Sequence, residues 1–110
     1  METNKEMAEY IYSILRSDLN VMWSWGFNKP TIVDKGLKFK VQGFIFRGWV
    51  HVIYNEGSDL FDIKLITIKN VEKKFIEGIY FDQLIEVIDE NVEHVKNYAE
   101  AVKKEYSKLR

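Results

Sequence analysis

The chain has 110 residues, enough for one domain that buries a core without disulfides or metals. Its 16 basic and 17 acidic side chains give a formal net charge of −1, which argues against a strong overall attraction to nucleic acid or anionic membranes and leaves room for a local basic patch. The lack of Cys excludes a disulfide framework, a thiolate nucleophile and a cysteine metal site.

The first residues lack the basic start and apolar run of a signal peptide, and no stretch of ~18 consecutive apolar residues predicts a membrane span. We therefore expect a soluble, cytoplasmic protein with no membrane partner. The six Gly are dispersed, so no phosphate loop is predicted. The two His do not belong to a ligand cluster, and we expect no metal and no cofactor.

The chain begins with a predicted helix that ends near Arg16. Thr3 and Glu6 have the spacing of a capping box, in which each side chain satisfies a backbone N–H at the helix start. The apolar stripe of this helix is formed by Met7, Ile11, Ile14 and Leu15.

Residues 20–27 place Trp23, Trp25 and Phe27 at alternate positions. This period predicts an additional strand or an extended arm, which ends before Pro30. Two interpretations of the aromatic residues remain open. They pack into the core or cap its end, or they form an exposed aromatic ridge that binds a flat partner.

Three antiparallel strands follow as a meander, because apolar residues recur at every second position. The predicted strands cover residues 37–41, 44–54 and 60–68. A two-residue turn at 42–43 sets Val41 opposite Phe44, and a second turn is centred on 56–57. The apolar positions of all three strands then share one face, so the pattern specifies the register strongly.

The other face of this sheet is predicted to be basic with an aromatic centre. The binding residues that we assign to it are Lys38, Lys40, Arg47, Trp49, His51 and Lys64. Such a surface suits single-stranded nucleic acid, because bases stack on rings while cations follow the phosphates. The alternative is that the face, with the aliphatic residues around it, is buried against the aromatic segment, another subunit or a protein partner.

The same register sets His51 opposite Asp62 and Trp49 opposite Lys64. A carboxylate could orient the imidazole as a general base, but an exposed charge pair is the commoner explanation. No Ser or Thr lies next to His51 in this register, so a nucleophilic triad has no support. We predict no catalytic residue and a protein that is not an enzyme.

Residues 71–77 predict a charged edge strand, and residues 80–108 a long helix with a heptad-like apolar stripe. At ~1.5 Å per residue this helix would be ~45 Å long, whereas a small domain is ~30 Å across. It either packs along the domain or projects and pairs with a second copy as a homodimer. The residues assigned to self-association are Val92, Val95, Ala99, Val102 and Tyr106.

Three stretches resemble a loose group of small proteins from phage and conjugative elements of gut bacteria. These stretches are the N-terminal helix leading into residues 21–27, the strand at 59–63 and residues 78–84 at the start of the last helix. The resemblance implies a small accessory protein that acts by binding, and it carries no activity and no site residue.

The sequence thus predicts a single α+β domain over residues 1–110. An N-terminal helix and a long C-terminal helix cover one face of an antiparallel meander of three to five strands. The expected function is that of a non-enzymatic, self-associating protein-binding module encoded by a mobile element. The alternative is a single-stranded nucleic-acid-binding protein that uses the outer face of the sheet.

Overall fold

The computed structural model describes residues 4–93, which form two layers, with helices on one side of a five-stranded sheet. The helices are α1 (Asn4–Arg16), α2 (Leu19–Ser24) and α3 (Leu84–Val92), and a 3-10 helix (Phe81–Gln83) leads into α3. The strands are β1 (Asn28–Val33), β2 (Gly36–Gln42), β3 (Arg47–Asn55), β4 (Leu60–Ile66) and β5 (Glu72–Ile79). Each strand pairs with the next in antiparallel orientation, which confirms the α+β class and the meander.

The core lies between the inner face of the sheet and the helices. Alternate side chains of the central strands point into it and are buried, as the period-two pattern predicts. The fully buried side chains include Ile11, Leu15, Phe39, Val50, Val52, Ile63, Leu84 and Ile88. Because one face carries this core, the opposite face of the sheet is left for other contacts.

The predicted N-terminal helix is confirmed, and it ends at Arg16 as expected. Its apolar stripe packs on the sheet with Ile11 and Leu15 fully buried, while Ile14 is only partly buried. Thr3 lies outside the described residues. The Asn4 Oδ1 atom accepts a hydrogen bond from the Lys35 backbone N–H at 2.9 Å, which fixes the start of α1 to the β1–β2 turn.

The predicted aromatic strand at 20–27 is wrong, because residues 19–24 form the helix α2. Asp18 begins this helix by accepting a hydrogen bond from the Val21 N–H at 3.3 Å. Met22 and Trp25, three residues apart, both reach the core, so helical spacing explains the apolar residues as well as alternation does. The strand begins later, at Asn28, and Pro30 lies in this edge strand, where a missing N–H is tolerated.

The predicted register between β2 and β3 is wrong by four residues. Val41 pairs with Gly48, not with Phe44. The connection is a four-residue loop, 43–46, in which the Gly43 N–H donates to the Phe46 carbonyl at 3.0 Å. The shift is an even number, so the side chains of β2 and β3 keep their predicted faces. The predicted strand start at Phe44 is wrong, because β3 begins at Arg47 and Phe44 is an exposed residue of the loop.

The register between β3 and β4 differs by two residues. Val52 pairs with Ile63, not with Phe61, because the turn is longer than the predicted one. Asn55 organises this turn, since its Oδ1 atom accepts hydrogen bonds from the N–H groups of Gly57 (3.0 Å) and Ser58 (3.3 Å). The inner and outer faces again stay as predicted, but the cross-strand neighbours change.

The predicted edge strand is confirmed as β5, which runs two residues further than expected, through Gly78 at φ +71°. The predicted continuous helix over 80–108 is wrong within the described residues. The helical segment there is the short 3-10 helix followed by α3, which ends at Val92 with Glu93 as its C-cap. The rest of that prediction lies outside the described residues.

Candidate functional site

The face of the sheet opposite the helices, here called the open face, carries the predicted basic and aromatic side chains. The residues from β2, β3 and β4 are half-buried by their neighbours in the sheet, Phe75 of β5 is exposed, and none belongs to the core. Its basic and aromatic residues are Lys38, Lys40, Trp49, His51, Lys64 and Phe75, and Ile53, Asp62 and Ile66 lie on the same face. Arg47 lies at its margin, where it pairs with Gln42 and is exposed.

Three basic side chains form one cross-strand row in the middle of the open face. Lys38 of β2 pairs with His51 of β3, and His51 pairs in turn with Lys64 of β4. The predicted His51–Asp62 pair is therefore wrong, because Asp62 pairs with Ile53. No general base oriented by a carboxylate arises at this position.

Asp62 has a structural part instead. Its Oδ1 atom accepts a hydrogen bond from the Gly78 N–H at 3.2 Å, and its Oδ2 atom accepts one from the Asn55 side chain at 3.4 Å. These contacts tie the β3–β4 turn to the end of β5. The carboxylate therefore lies on the open face, where it is hydrogen-bonded to Asn55 and Gly78.

The electrostatics of the row disfavour a protonated His51. Burial lowers the pKa of His51 below its ordinary value of 6.5, and the positive charges of Lys38 and Lys64 lower it further. Like charges directly opposite each other across strands also destabilise a sheet. An anion placed over the row would relieve both effects.

Each aromatic ring of the open face lies under a lysine ammonium group. The Lys38 Nζ atom is 4.9 Å from the centroid of the Trp49 ring, and the Lys64 Nζ atom is 5.5 Å from that of Phe75. The predicted Trp49–Lys64 contact is wrong, since Trp49 pairs with Ile66. Phe75 was not predicted as a site residue, because residues 71–77 show no clean alternation.

The cations of the open face have no carboxylate within ion-pair distance in the described part of the chain. The ion pairs found there are Lys5–Glu9 at 4.0 Å and Lys35–Glu56 at 3.6 Å, both on other surfaces. The open face therefore combines lysine charges that have no described ion-pair partner with two aromatic rings.

The structure separates the three aromatic residues of the predicted ridge. Trp25 is fully buried, and its Nε1 atom donates to the Asp89 Oδ1 atom at 2.9 Å. Phe27 is partly buried and packs on Phe39 with ring centroids 4.6 Å apart. Trp23 alone of the three is exposed, at 73%, so the three residues form no common ridge.

Of the predicted self-association residues, Val92 is described, and it is fully buried in the core of a single chain. It is not accessible to a second copy while α3 is packed on the sheet. Val95, Ala99, Val102 and Tyr106 lie outside the described residues, and self-association through them stays a prediction.

Across residues 4–93, acidic and His side chains nowhere gather in a group of three that could ligate a metal ion. The helices of the same part of the chain are all too short or too polar to cross a membrane.

Comparisons with protein families, with curated proteins and with solved structures found no match. The resemblance to proteins of phage and conjugative elements therefore stays a prediction. Any function has to be argued from the geometry of the site.

Proposed function

We propose that this protein is a non-enzymatic binding module whose open face binds single-stranded nucleic acid. The observation that carries the proposal is the row Lys38–His51–Lys64, which lies beside Trp49 and Phe75 without a described carboxylate partner. Such a combination provides both parts of sequence-tolerant recognition, stacking surfaces and mobile cations.

The rings and the cations can act together on binding. In the free protein, Lys38 lies over Trp49 and Lys64 over Phe75. A cation–π contact at an exposed site is worth only about 0.5–1 kcal/mol, whereas stacking of a base is worth about 1–3 kcal/mol. A base can therefore displace each ammonium group from its ring, and the ammonium group can move to a phosphate.

The width of the open face and its two aromatic rings favour unpaired strands. Five strands at a spacing of ~4.8 Å give a surface ~19 Å wide. A duplex hides its base faces within the stack, so rings on a sheet can reach bases only where these are splayed out. We therefore expect a short site of a few unpaired nucleotides.

The charge part of this proposal is tested with a double variant, Lys38→Gln with Lys64→Gln. Binding of a fluorescent single-stranded oligonucleotide is measured by anisotropy over a range of salt concentrations. The slope of log K against log salt is negative, and each lost phosphate contact on a single strand reduces its magnitude by ~0.7, so the double variant should reduce it by ~1.4. The control is Lys5→Gln, which removes one charge, against two in the double variant, from α1 on the opposite side of the sheet.

Two outcomes contradict the proposal. One is an affinity for oligonucleotides that does not change with salt. The other is a double variant whose affinity and slope equal those of the control.

A second candidate function, protein binding, is favoured by the exposure of Trp23. This residue lines a groove of about 330 Å³ with Tyr12, Arg16 and Leu19. Exposed tryptophan is a frequent anchor of protein interfaces. The groove shares no residue with the open face, so the two functions are separable by mutation.

A tagged pull-down from the native host, with and without nuclease, distinguishes the two functions. Protein binding at the groove is supported by a partner protein that is still recovered after nuclease treatment. Its recovery should be lost with Trp23→Ala and retained with the Lys38 and Lys64 double variant. Recovery that disappears with nuclease supports the open face.

A further inference from the structure

A second cavity lies at the end of the sheet remote from loop 43–46. It has a volume of about 420 Å³ and opens between α1, the β3–β4 hairpin and the segment that joins β5 to α3. The side chains that define this aromatic pocket are Tyr10, Tyr54, Asp59, Phe61, Tyr80 and Phe81. None of them belongs to the open face or to the Trp23 groove.

The floor of the aromatic pocket is Phe61, which is buried. Two rings pack against it, Tyr10 with its centroid at 6.4 Å and Tyr54 at 5.6 Å. The remaining two rings, Tyr80 and Phe81, are each more than half exposed and contribute little to the core. Five rings thus line one space, and core packing accounts for Phe61 and Tyr54 but not for the exposed rings of Tyr10, Tyr80 and Phe81.

A single carboxylate marks the edge of this pocket. Asp59 is the one charged residue among the described residues that line it. The Tyr54 hydroxyl donates a hydrogen bond to the Asp59 Oδ1 atom. The Asp59 backbone N–H donates to the Asn55 carbonyl oxygen at 2.8 Å. The turn therefore holds a negative charge beside the ring faces, which themselves carry negative potential.

We propose that the aromatic pocket binds a methylated ammonium group. Rings attract a cation through their quadrupoles, and the attraction is strongest for a cation that sheds water easily. A primary ammonium group is strongly hydrated and needs hydrogen-bond acceptors that the rings do not supply. A trimethylammonium group instead presents a weakly hydrated, positively charged surface, which complements five rings and one carboxylate.

The test compares choline with 3,3-dimethylbutanol, the neutral isostere in which carbon replaces the charged nitrogen. Each is titrated into the full chain and followed by amide NMR shifts. We expect choline to bind about three- to tenfold more tightly, with the largest shifts at Asp59, Tyr80 and Phe81. Equal affinity of the two compounds, or shifts that lie elsewhere, overturns the proposal, since the pocket would then be an apolar groove or unoccupied.

Matched variants locate the binding. Phe81→Leu keeps an apolar side chain but removes the ring, and Asp59→Asn removes the charge while tolerating the left-handed backbone at φ +59°. Each should weaken choline binding about threefold or more. Phe75→Leu, at an exposed phenylalanine of the open face, should leave it unchanged. A weakening of the same size in Phe75→Leu would contradict the assignment.

A peptide with a trimethylated lysine serves as a further arm, because the same group occurs in free small molecules and on proteins. Tighter binding of the peptide than of choline assigns a protein source, and the reverse assigns a small molecule. Circular dichroism of each variant checks the fold. Choline binding should persist in the Lys38→Gln, Lys64→Gln variant, so this proposal can fail or succeed independently of nucleic-acid binding.

Discussion

The Trp25 Nε1 atom donates a hydrogen bond to the Asp89 Oδ1 atom at 2.9 Å, across the boundary between α2 and α3. The indole itself is fully buried and lies parallel to Phe39, with ring centroids 6.4 Å apart. One side chain therefore connects the end of α2, the inner face of the sheet and α3. The indole N–H is therefore hydrogen-bonded although the ring is fully buried.

We expect Trp25→Phe to lower the free energy of unfolding by about 2–3 kcal/mol. The variant leaves a cavity and removes the donor to Asp89. Urea denaturation measures the change. The control is Trp23→Phe, which alters an exposed side chain and should stay within about 0.5 kcal/mol of the parent. Losses of equal size in the two variants would contradict the distinct environments described for these residues.

We expect Gly43→Ala to destabilise the protein by about 1–3 kcal/mol. A Cβ atom at position 43 would lie 2.2 Å from the Val92 carbonyl oxygen and 2.4 Å from its Cγ1 atom, so the loop or α3 would have to move. Gly57→Ala is the control, because its nearest neighbour is a side-chain atom of Asn55 at 3.3 Å. The melting temperatures of the two variants should differ clearly, and a Gly43→Ala variant as stable as the control would refute the close approach.

The stability of the protein should decrease as the pH falls below about 6.5. The pKa of His51 is lowered in the folded state by burial and by Lys38 and Lys64, so the unfolded chain takes up this proton at a higher pH. The other charged residues near His51 are Lys40 and Asp62, which lie diagonally opposite it on the two neighbouring strands. Above pH 6.5, the ordinary pKa of His, the imidazole of His51 is neutral in both the folded and the unfolded state, and its effect on the free energy of unfolding disappears.

The titration of His51 is measured by NMR of its imidazole proton, assigned with His51→Gln. Lys64→Gln should raise the pKa of His51, and so should an added oligonucleotide, whose phosphates favour the protonated ring. A pKa at or above the ordinary value in the free protein would contradict the arrangement of the row.

We expect Trp49→Ala to weaken binding of a single-stranded oligonucleotide by about tenfold, the effect of one lost stacking platform. The ring of Trp49 lies on the open face, whereas that of Trp23 lies in a groove elsewhere, so Trp23→Ala should bind normally. Fluorescence anisotropy at one fixed salt concentration measures both. Equal effects of the two substitutions would remove Trp49 from the site.

The faces of the sheet could be predicted from the sequence, whereas the neighbours across the strands could not. Alternation places Lys38, Trp49 and Lys64 on the open face under any register that shifts by an even number of residues. The four-residue loop before Arg47 and the longer turn after Asn55 changed the registers by four and two. The assignment of these side chains to the outer face was therefore correct and the His51–Asp62 pair was wrong, while binding at this face stays a prediction.

The aromatic segment was mispredicted because two periods fit the same residues. Trp23 and Trp25 alternate like a strand, yet the Asp18 cap and the spacing of Met22 and Trp25 select a helix. Similarly, the heptad-like stripe continued in sequence past the point where α3 ends at Val92. The aromatic pocket was not foreseen, since its residues come from four separate parts of the chain.

Loop 43–46 is hydrogen-bonded to the last carbonyl of α3. The N–H groups of Ile45 and Phe46 both donate to the Val92 carbonyl oxygen, at 2.8 and 3.2 Å, and the Phe44 N–H donates to the Glu93 Oε2 atom at 2.7 Å. Amides of an exposed hairpin loop ordinarily exchange with solvent deuterium almost at once. Here the amides of Ile45 and Phe46 are hydrogen-bonded to α3, so we expect slower exchange at these two positions, and their exchange rates report how often the contact between the loop and the helix opens.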